Sequence, residues 1–263
     1  MQPISIAQPS VQSLHIQPLR GGTPVASGTA FVVRGRQGKY YLITNRHNVL
    51  GRNSENKPLG QFSQIPDALR VYHNVHGQLG SWTAIDEALY SSPGQPRWLE
   101  HPTFGRRVDV IALELSLSAN VAFYPHDQTA ASVSNVAIRV TTELSIIGFP
   151  FGLTGGGKLG VWSRGTIATE PDIDFDDLPL MLIDSRTRQG QSGSPVIFWA
   201  TSSFETKEEG AAMFGGGSIS LLMGVYSGRV NPESDLGLAW KARIIDEIID
   251  GDSRPTGESL MPE

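Results

Sequence analysis

The sequence has no cysteine and few charged residues. Without cysteine the chain can form no disulfide bond, no thiolate metal site and no thiol nucleophile. This composition fits a reducing compartment, and we expect a cytoplasmic protein. Only 18% of the residues are charged, against about 25% in an average domain. The shortage of charge argues against coiled coils and long exposed helices as the main architecture.

Long apolar runs and clusters of basic residues are also missing. No run approaches the roughly 18 apolar residues of a transmembrane helix, and the first twenty residues lack the basic start and apolar centre of a signal peptide. The net charge is −5, with 21 basic and 26 acidic residues. A chain without a basic stripe has no electrostatic surface for nucleic acid or an anionic membrane, so we expect neither as a partner.

Glycine and proline are abundant, with 29 and 17 residues among 263. They favour turns, and the apolar residues between them come in short bursts typical of strands rather than in helical stripes. The pattern predicts an all-β protein, and the length fits a pair of β-barrels. The predicted strands are 28–35, 39–45, 68–73, 81–86, 109–115, 143–149, 160–168, 178–184, 194–200, 218–228 and 236–241.

One helix is predicted near the C-terminus, at 241–250, where isoleucines recur with a helical period. Gly251 and Pro255 follow it, as expected at a helix end. We expect the tail 251–263 to be disordered. The polar, glycine-rich segment 201–217 is predicted to be a long mobile loop.

A serine in a glycine-rich turn is the first candidate for chemistry. Ser192 lies in RQGQSGSPVIF between Gly190 and Gly193, which let the chain turn sharply and bring backbone N–H groups close to a substrate carbonyl. The motif differs from the G-x-S-x-G pattern of α/β hydrolases, because position 194 is serine. Glycine and serine are also ordinary turn residues, so the motif taken alone leaves a structural turn as the alternative.

A histidine and an aspartate complete the set that serine catalysis requires. His47 follows the apolar strand in YYLITNRHNVL, and Asp109 opens the apolar strand DVIALEL, where a histidine would satisfy its carboxylate. The alternatives are a surface histidine and an aspartate paired with Arg106 or Arg107. We expect the remaining histidines to be mostly surface or capping residues: His15, His73, His76, His101 and His126.

Two other patterns are typical of binding sites but lack essential parts. His73 and His76 have no cysteine or carboxylate beside them, so we predict no metal site. The segment 152–159, GLTGGGKL, matches a phosphate-binding loop except that Leu159 replaces the Ser or Thr that binds Mg²⁺. A β-like segment follows it, so no helix N-terminus can receive phosphate. We favour a glycine-rich hairpin loop there.

The motifs LITNRHNV, DVIALEL and GQSGSPVI resemble, in order and spacing, those of trypsin-like (chymotrypsin-fold) serine proteases, especially the disulfide-free bacterial branch that includes the Do/HtrA-like enzymes. The likeness implies two six-stranded antiparallel β-barrels with a short C-terminal helix. It also implies a serine endopeptidase that acts on polypeptides without a cofactor. The implied division is an N-terminal extension (1–24), a first barrel (25–118), a second barrel with the helix (119–250) and a tail (251–263).

The resemblance implies a role for each catalytic residue. Ser192 would be the nucleophile, and His47 would be the general base. Asp109 would orient the histidine. The backbone N–H groups of Gly190 and Ser192 would form the oxyanion hole.

The resemblance also implies a second group of residues, which would bind the substrate. By the same resemblance Ser227, Gly228 and Arg229 lie on the strand with which a substrate backbone pairs. Arg186 falls near the floor of the pocket for the side chain on the acyl side of the scissile bond, where it could favour an acidic residue. Pairing of Arg186 with a nearby carboxylate is the alternative.

A second function stays open at this point. A chain with these motifs could also be a protease-fold scaffold or binding module, inactive alone or active only with a regulatory protein partner. The sequence pattern specifies neither that partner nor an oligomeric state.

Overall fold

The computed structural model of the chain describes residues 5–53, 57–58, 65–208, 210–215, 217–231 and 233–255. Antiparallel strands dominate it, which confirms the all-β prediction. They form two units in succession, an open sheet followed by a closed barrel.

The first unit contains short strands joined by turns. Its strands are β1 (Ser13–Arg20), β2 (Thr23–Pro24), β3 (Gly28–Arg34), β4 (Tyr40–Thr44), β5 (Ala68–Val75), β6 (Trp82–Ala88), β7 (Tyr90–Ser92), β8 (Gln95–Pro96), β9 (Trp98–Leu99), β10 (Ile111–Glu114) and β11 (Val121–Ala122). The main sheet has the order β11-β5-β1-β3-β4-β10-β9, with β2 paired to β1 and β6 paired to β5. Strands β7 and β8 form a separate hairpin.

The second unit contains the remaining eight strands of the described residues. They are β12 (Glu143–Gly148), β13 (Val161–Ile167), β14 (Leu180–Ser185), β15 (Pro195–Ala200), β16 (Ser203–Glu205), β17 (Ala212–Phe214), β18 (Ile219–Arg229) and β19 (Leu236–Lys241). Six of them close into a barrel in the order β12-β13-β14-β19-β18-β15, and β16 pairs with β17 outside it. The predicted second barrel is therefore confirmed.

The helices are short. They are α1 (Gln8–Gln12), α2 (Arg46–Leu50), α3 (Ala130–Val133) and α4 (Arg243–Gly251), with 3₁₀ turns at Gly105–Arg107 and Pro150–Gly152. The last of them is the predicted C-terminal helix, and it buries Ile244, Ile245 and Ile248. In the described ranges no helix has the length and apolar character needed to cross a membrane.

The first unit departs from the predicted six-stranded barrel. Within the described residues, no backbone pairing joins its outer strands β9 and β11. Each of these strands is only two residues long, which is too short for a continuous ladder that would close the sheet. Nine strands therefore form an open sheet in place of a barrel.

Three segments that we did not predict as regular structure are ordered. Residues 13–20, placed in an N-terminal extension, form the central strand β1 between β3 and β5; Pro18 hides this strand in the sequence. The predicted loop 201–217 contains the β16–β17 hairpin. In the predicted tail, Ser253 forms a bridge with Glu100, while residues 256–263 lie outside the described residues.

One apolar cluster joins the two units. It combines Phe31 and Ile43 of the open sheet with Ile147 and Leu222 of the barrel, and α4 packs on it through Ile245. Each unit also has an apolar cluster of its own. This shared cluster packs the open sheet against the barrel.

A buried ion pair holds α2 in place. The Nε of Arg46 lies 2.8 Å from Oε1 of Glu100, and the two side chains are 1% and 6% exposed. The indole N–H of Trp98 donates to the same carboxylate oxygen at 3.2 Å. Because Arg46 precedes His47, this pair anchors the start of the helix that carries His47.

Four histidines expected at the surface are buried instead: His15, His73, His101 and His126. Burial lowers the pKa of His73 to about 4 and that of His126 to about 3. Burial, together with the charge of Lys158, lowers the pKa of His15 to about 4. These three rings are therefore neutral in the folded protein at neutral pH.

The neutral buried histidines predict a loss of stability in acid. Between pH ~6.5, where an unfolded histidine takes up its proton, and pH ~4 the unfolded chain binds more protons than the folded one, so the free energy of unfolding falls as the pH falls. We expect on the order of 2 kcal/mol per histidine, measured by urea denaturation at pH 7 and pH 4.5. His126→Leu should reduce the difference. Equal unfolding free energies at both pH values would contradict the prediction.

Candidate active site

The pairing of two strands brings His47 and Asp109 together. His47 lies in α2, directly after β4, and Asp109 lies just before β10. Strands β4 and β10 are antiparallel, with Thr44 opposite Ile111. The end of β4 and the start of β10 therefore lie side by side, so the residues that follow β4 are close to those that precede β10.

The Asp109 carboxylate makes two contacts with His47, one to its imidazole and one to its backbone. Its Oδ2 lies 2.6 Å from Nδ1 of His47, and its Oδ1 accepts the backbone N–H of His47 at 2.9 Å. Asn45 donates its side-chain amide to the Asp109 carbonyl at 2.7 Å. The contact favours the tautomer with the proton on Nδ1, which leaves Nε2 as a proton acceptor.

Ser227 makes a third hydrogen bond to the same carboxylate. Its hydroxyl donates to Oδ2 of Asp109 at 2.5 Å. The register between β18 and β19 shifts between Tyr226 and Gly228, so Ser227 is the extra residue of a β-bulge. Bulges often redirect a side chain beside an active site. No sequence pattern pointed to this contact, because it depends on the register of two distant segments.

Ser192 lies in the turn between β14 and β15, and the backbone of β18 holds that turn. The Gly193 N–H donates to the Tyr226 carbonyl at 2.8 Å, and the Tyr226 N–H donates to the Ser194 carbonyl at 2.9 Å. The hydroxyl of Ser192 faces the Ser227 carbonyl at 3.4 Å. Ser227 thus contacts both Ser192 and Asp109.

The hydroxyl of Ser192 is not hydrogen-bonded to His47 in the described part of the chain. Its 3.4 Å contact with Ser227 is longer than a normal O–H···O bond. The hydroxyl is therefore weakly held, while the carboxylate and imidazole beside it are tightly held.

Thr29 of β3 clamps the turn from the opposite unit. Its N–H donates to the Ser192 carbonyl at 3.0 Å, and its hydroxyl donates to the Gly190 carbonyl at 2.9 Å. The same hydroxyl accepts the Phe149 N–H at 3.1 Å. The side-chain amide of Asn48, in α2, donates to the Ser192 carbonyl at 3.1 Å. Sequence reasoning missed both residues, although Thr29 lies in a predicted strand.

The two glycines of the turn are required by its backbone. Gly190 has φ +93° and Gly193 has φ +86°, values that favour glycine. A Cβ at Gly190 would lie 2.4 Å from the Phe149 carbonyl oxygen, and one at Gly193 would lie 2.1 Å from that of Thr29. Within the described residues, the N–H groups of Gly190 and Ser192 donate to no protein acceptor, so they are available to a ligand.

The structure separates the predicted substrate-binding residues. Ser227, Gly228 and Arg229 end β18 beside Ser192 and are half-buried. The Arg186 side chain is 84% exposed and lies 3.7 Å from Asp235. The structure does not bring Arg186 to the other site residues, because this exposed carboxylate draws it outward.

The glycine-rich segment 152–159 packs against the open sheet. The ammonium of Lys158 lies 3.9 Å from the ring centre of Tyr72, and a Cβ at Gly157 would lie 2.3 Å from the Trp82 ring. This lysine is therefore engaged with an aromatic ring. No group of three or more His, Asp or Glu side chains that could hold a metal ion occurs in the ranges that the structure covers.

Comparison with known proteins gives a family and a fold. A family model for the trypsin-like peptidase domain matches residues 28–201. The crystal structure of the serine endoprotease from Yersinia pestis is 14% identical, covers 95% of this chain and 67% of its own, and has a TM-score of 0.52. The active form of Rv3671c protease from M. tuberculosis is 17% identical, covers 94% of this chain and 83% of its own, and has a TM-score of 0.49. Comparison with curated proteins gave no match.

The family match spans well over half of the chain and includes His47, Asp109 and Ser192. The Yersinia structure shares the fold. The resemblance that the three motifs indicated is confirmed. The chain belongs to the family of trypsin-like peptidase domains.

Proposed function

We propose that the chain is a serine endopeptidase that hydrolyses polypeptides through an acyl-enzyme formed on Ser192. The observation that supports this most is the carboxylate of Asp109, which holds Nδ1 of His47 at 2.6 Å and receives the Ser227 hydroxyl. Three directed contacts on one carboxylate orient an imidazole as a general base requires.

The chemistry then follows the known logic of a serine nucleophile. His47 Nε2 takes the proton of the Ser192 hydroxyl while Oγ of Ser192 attacks the carbonyl carbon of the scissile bond. The imidazolium gives that proton to the leaving amine, and the C–N bond breaks. Water, deprotonated by His47, then attacks the ester, and the proton returns to Ser192. Asp109 stabilises the imidazolium throughout and is not itself protonated.

The Ser192 hydroxyl must leave the Ser227 carbonyl for this reaction. A contact of 3.4 Å opposes that movement only weakly, and catalytic hydrogen bonds often tighten only when substrate binds. The unpaired N–H groups of Gly190 and Ser192 would receive the oxyanion. Thr29, which holds the Gly190 carbonyl, fixes the peptide that lies between these two donors.

A substrate would add as a strand beside the end of β18. Strand β15 pairs with β18 only as far as Pro195 opposite Val225, so the edge beyond Tyr226 is not covered by it. Strand β19 pairs with the other edge as far as Arg229. An extended peptide on the uncovered edge would pass Ser192.

The second candidate function is a protease-fold module that is inactive alone and works with a protein partner. The absence of a hydrogen bond between Ser192 and His47 among the described residues favours it. Only a peptidase that is active alone should react with an active-site probe and hydrolyse peptides.

A fluorophosphonate probe tests the nucleophile. We expect covalent labelling of the full-length protein at Ser192 and none of Ser192→Ala, because only an activated hydroxyl attacks phosphorus. Ser194→Ala is the matched control, since Ser194 lies in the same turn and should leave labelling in place. Equal labelling of wild type and Ser192→Ala would exclude the proposed mechanism, and no labelling of either would favour the second function.

Acid should switch the activity off. Protonation of His47 removes the base, so kcat/KM should fall about tenfold per pH unit on the acidic side of the profile. Circular dichroism at each pH separates this effect from acid unfolding. A flat profile from pH 8 to pH 5, in protein that remains folded, is the result that contradicts a histidine base.

Thr29 should control kcat. Thr29→Val leaves the Gly190 carbonyl and the Phe149 N–H unpaired, so the peptide that joins the two oxyanion donors loses its anchor. We expect kcat to fall by about 10²-fold with little change in KM, and unfolding to become easier by about 1–3 kcal/mol. Thr29→Ser keeps the hydroxyl and should restore kcat. A Thr29→Val protein with wild-type kcat would remove Thr29 from this role.

A further inference from the structure

Arg229 is a half-buried arginine that has no anionic partner among the described residues. It ends β18, next to Gly228 and two positions after Ser227. Within the described residues its guanidinium has no hydrogen bond and no ion pair. Exposed arginines elsewhere on the barrel have carboxylate partners: Arg164 with Glu143 at 3.2 Å and Arg139 with Glu205 at 3.1 Å. An unpaired charge that is partly desolvated gains from an incoming carboxylate.

A second arginine lies on the other side of the same region. Arg188 is exposed in the turn that leads to Ser192, and its Nη1 donates to the Thr187 carbonyl at 2.9 Å. It has no carboxylate partner among the residues that the structure describes. The loop with Ser192 and the strand with Ser227 thus each present one uncompensated positive charge.

The positive charges of Arg229 and Arg188 both affect the pKa of the buried Tyr226 hydroxyl. The hydroxyls of Tyr226 and Thr187 are hydrogen-bonded to each other. Burial raises the pKa of Tyr226, while this hydrogen bond and the positive charges of Arg229 and Arg188 act in the opposite direction. The hydrogen bond between the two hydroxyls joins Thr187, whose carbonyl Arg188 contacts, to the strand that carries Arg229.

Open space lies beside Gly228, between Ser227 and Arg229 in the strand. A Cβ built on Gly228 would have no heavy atom within 4 Å. Ser227, the neighbour of Gly228, contacts the Ser192 hydroxyl through its carbonyl. A substrate strand along Ser227–Arg229 would place the side chain on the acyl side of the scissile bond next to this space.

We propose that Arg229 and Arg188 form a carboxylate-binding subsite, which selects substrates with glutamate or aspartate on the acyl side of the scissile bond. The proposal rests on the proposed peptidase function and names its substrate class. It also moves the acidic preference considered for Arg186 to two arginines that have no carboxylate partner among the described residues.

Peptide binding to the full-length Ser192→Ala protein tests the subsite without turnover. Two fluorescent peptide pools, amidated at the C-terminus to remove the terminal carboxylate, differ only in a fixed central Glu or Gln. We expect the Glu pool to bind about 10- to 100-fold more tightly by fluorescence anisotropy, and high salt to reduce the difference. Equal affinities would overturn the proposal.

Charge variants locate the effect. Arg229→Gln in the Ser192→Ala background should remove most of the Glu preference, and Arg188→Gln should weaken it. The matched control is Arg164→Gln, which removes an arginine 77% exposed on the barrel surface and should keep the preference. A Glu preference that survives Arg229→Gln, in protein with an unchanged urea midpoint, would also overturn the proposal.

Turnover separates this proposal from the peptidase function itself. With active protein, the ratio of kcat/KM for Glu and Gln peptides should follow the binding ratio. A Glu preference in binding without any hydrolysis or fluorophosphonate labelling would remove the peptidase function and leave the subsite. Hydrolysis and labelling with equal kcat/KM for Glu and Gln peptides would remove the subsite and leave the peptidase function.

Discussion

The contacts that Thr29 makes across the boundary between the open sheet and the barrel are the constraint on which the site depends. Its N–H and hydroxyl hold the carbonyls of Ser192 and Gly190 at 3.0 and 2.9 Å. Asp109 and His47 come from the open sheet, whereas Ser192 comes from the barrel. The shared apolar cluster supplies attraction between the units, but such attraction has no direction. The buried hydrogen bonds of Thr29 supply the register between the turn that carries Ser192 and the sheet that carries His47 and Asp109.

The sequence predicted strands well where apolar runs are continuous and end in turns. Strand β3 and the barrel strands β12 and β14 are of this kind, because both of their faces are buried. Strand β1 escaped prediction since Pro18 and polar residues interrupt its pattern, although two neighbouring strands pair with it. Closure of the first sheet could not be predicted, because it depends on the length of edge strands that carry only two residues each.

The sequence nominated His47, Asp109 and Ser192 as candidates because each stands at the end or start of an apolar strand. Thr29 and Ser227 could not be assigned their contacts, since these arise where distant strands meet and where a bulge turns one side chain. Arg186 and Arg229 differ in how nearby charges compensate them. Asp235 compensates Arg186 at 3.7 Å, and no carboxylate in the described ranges compensates Arg229.

The hydrogen bonds of Thr29 to the turn that carries Ser192 also have a consequence for the newly made chain. Thr29 is synthesised long before Ser192, and the turn receives these hydrogen bonds only once its residues have docked against β3. Thr29 and Gly190, which lie 161 positions apart in the chain, must therefore meet before the turn is anchored.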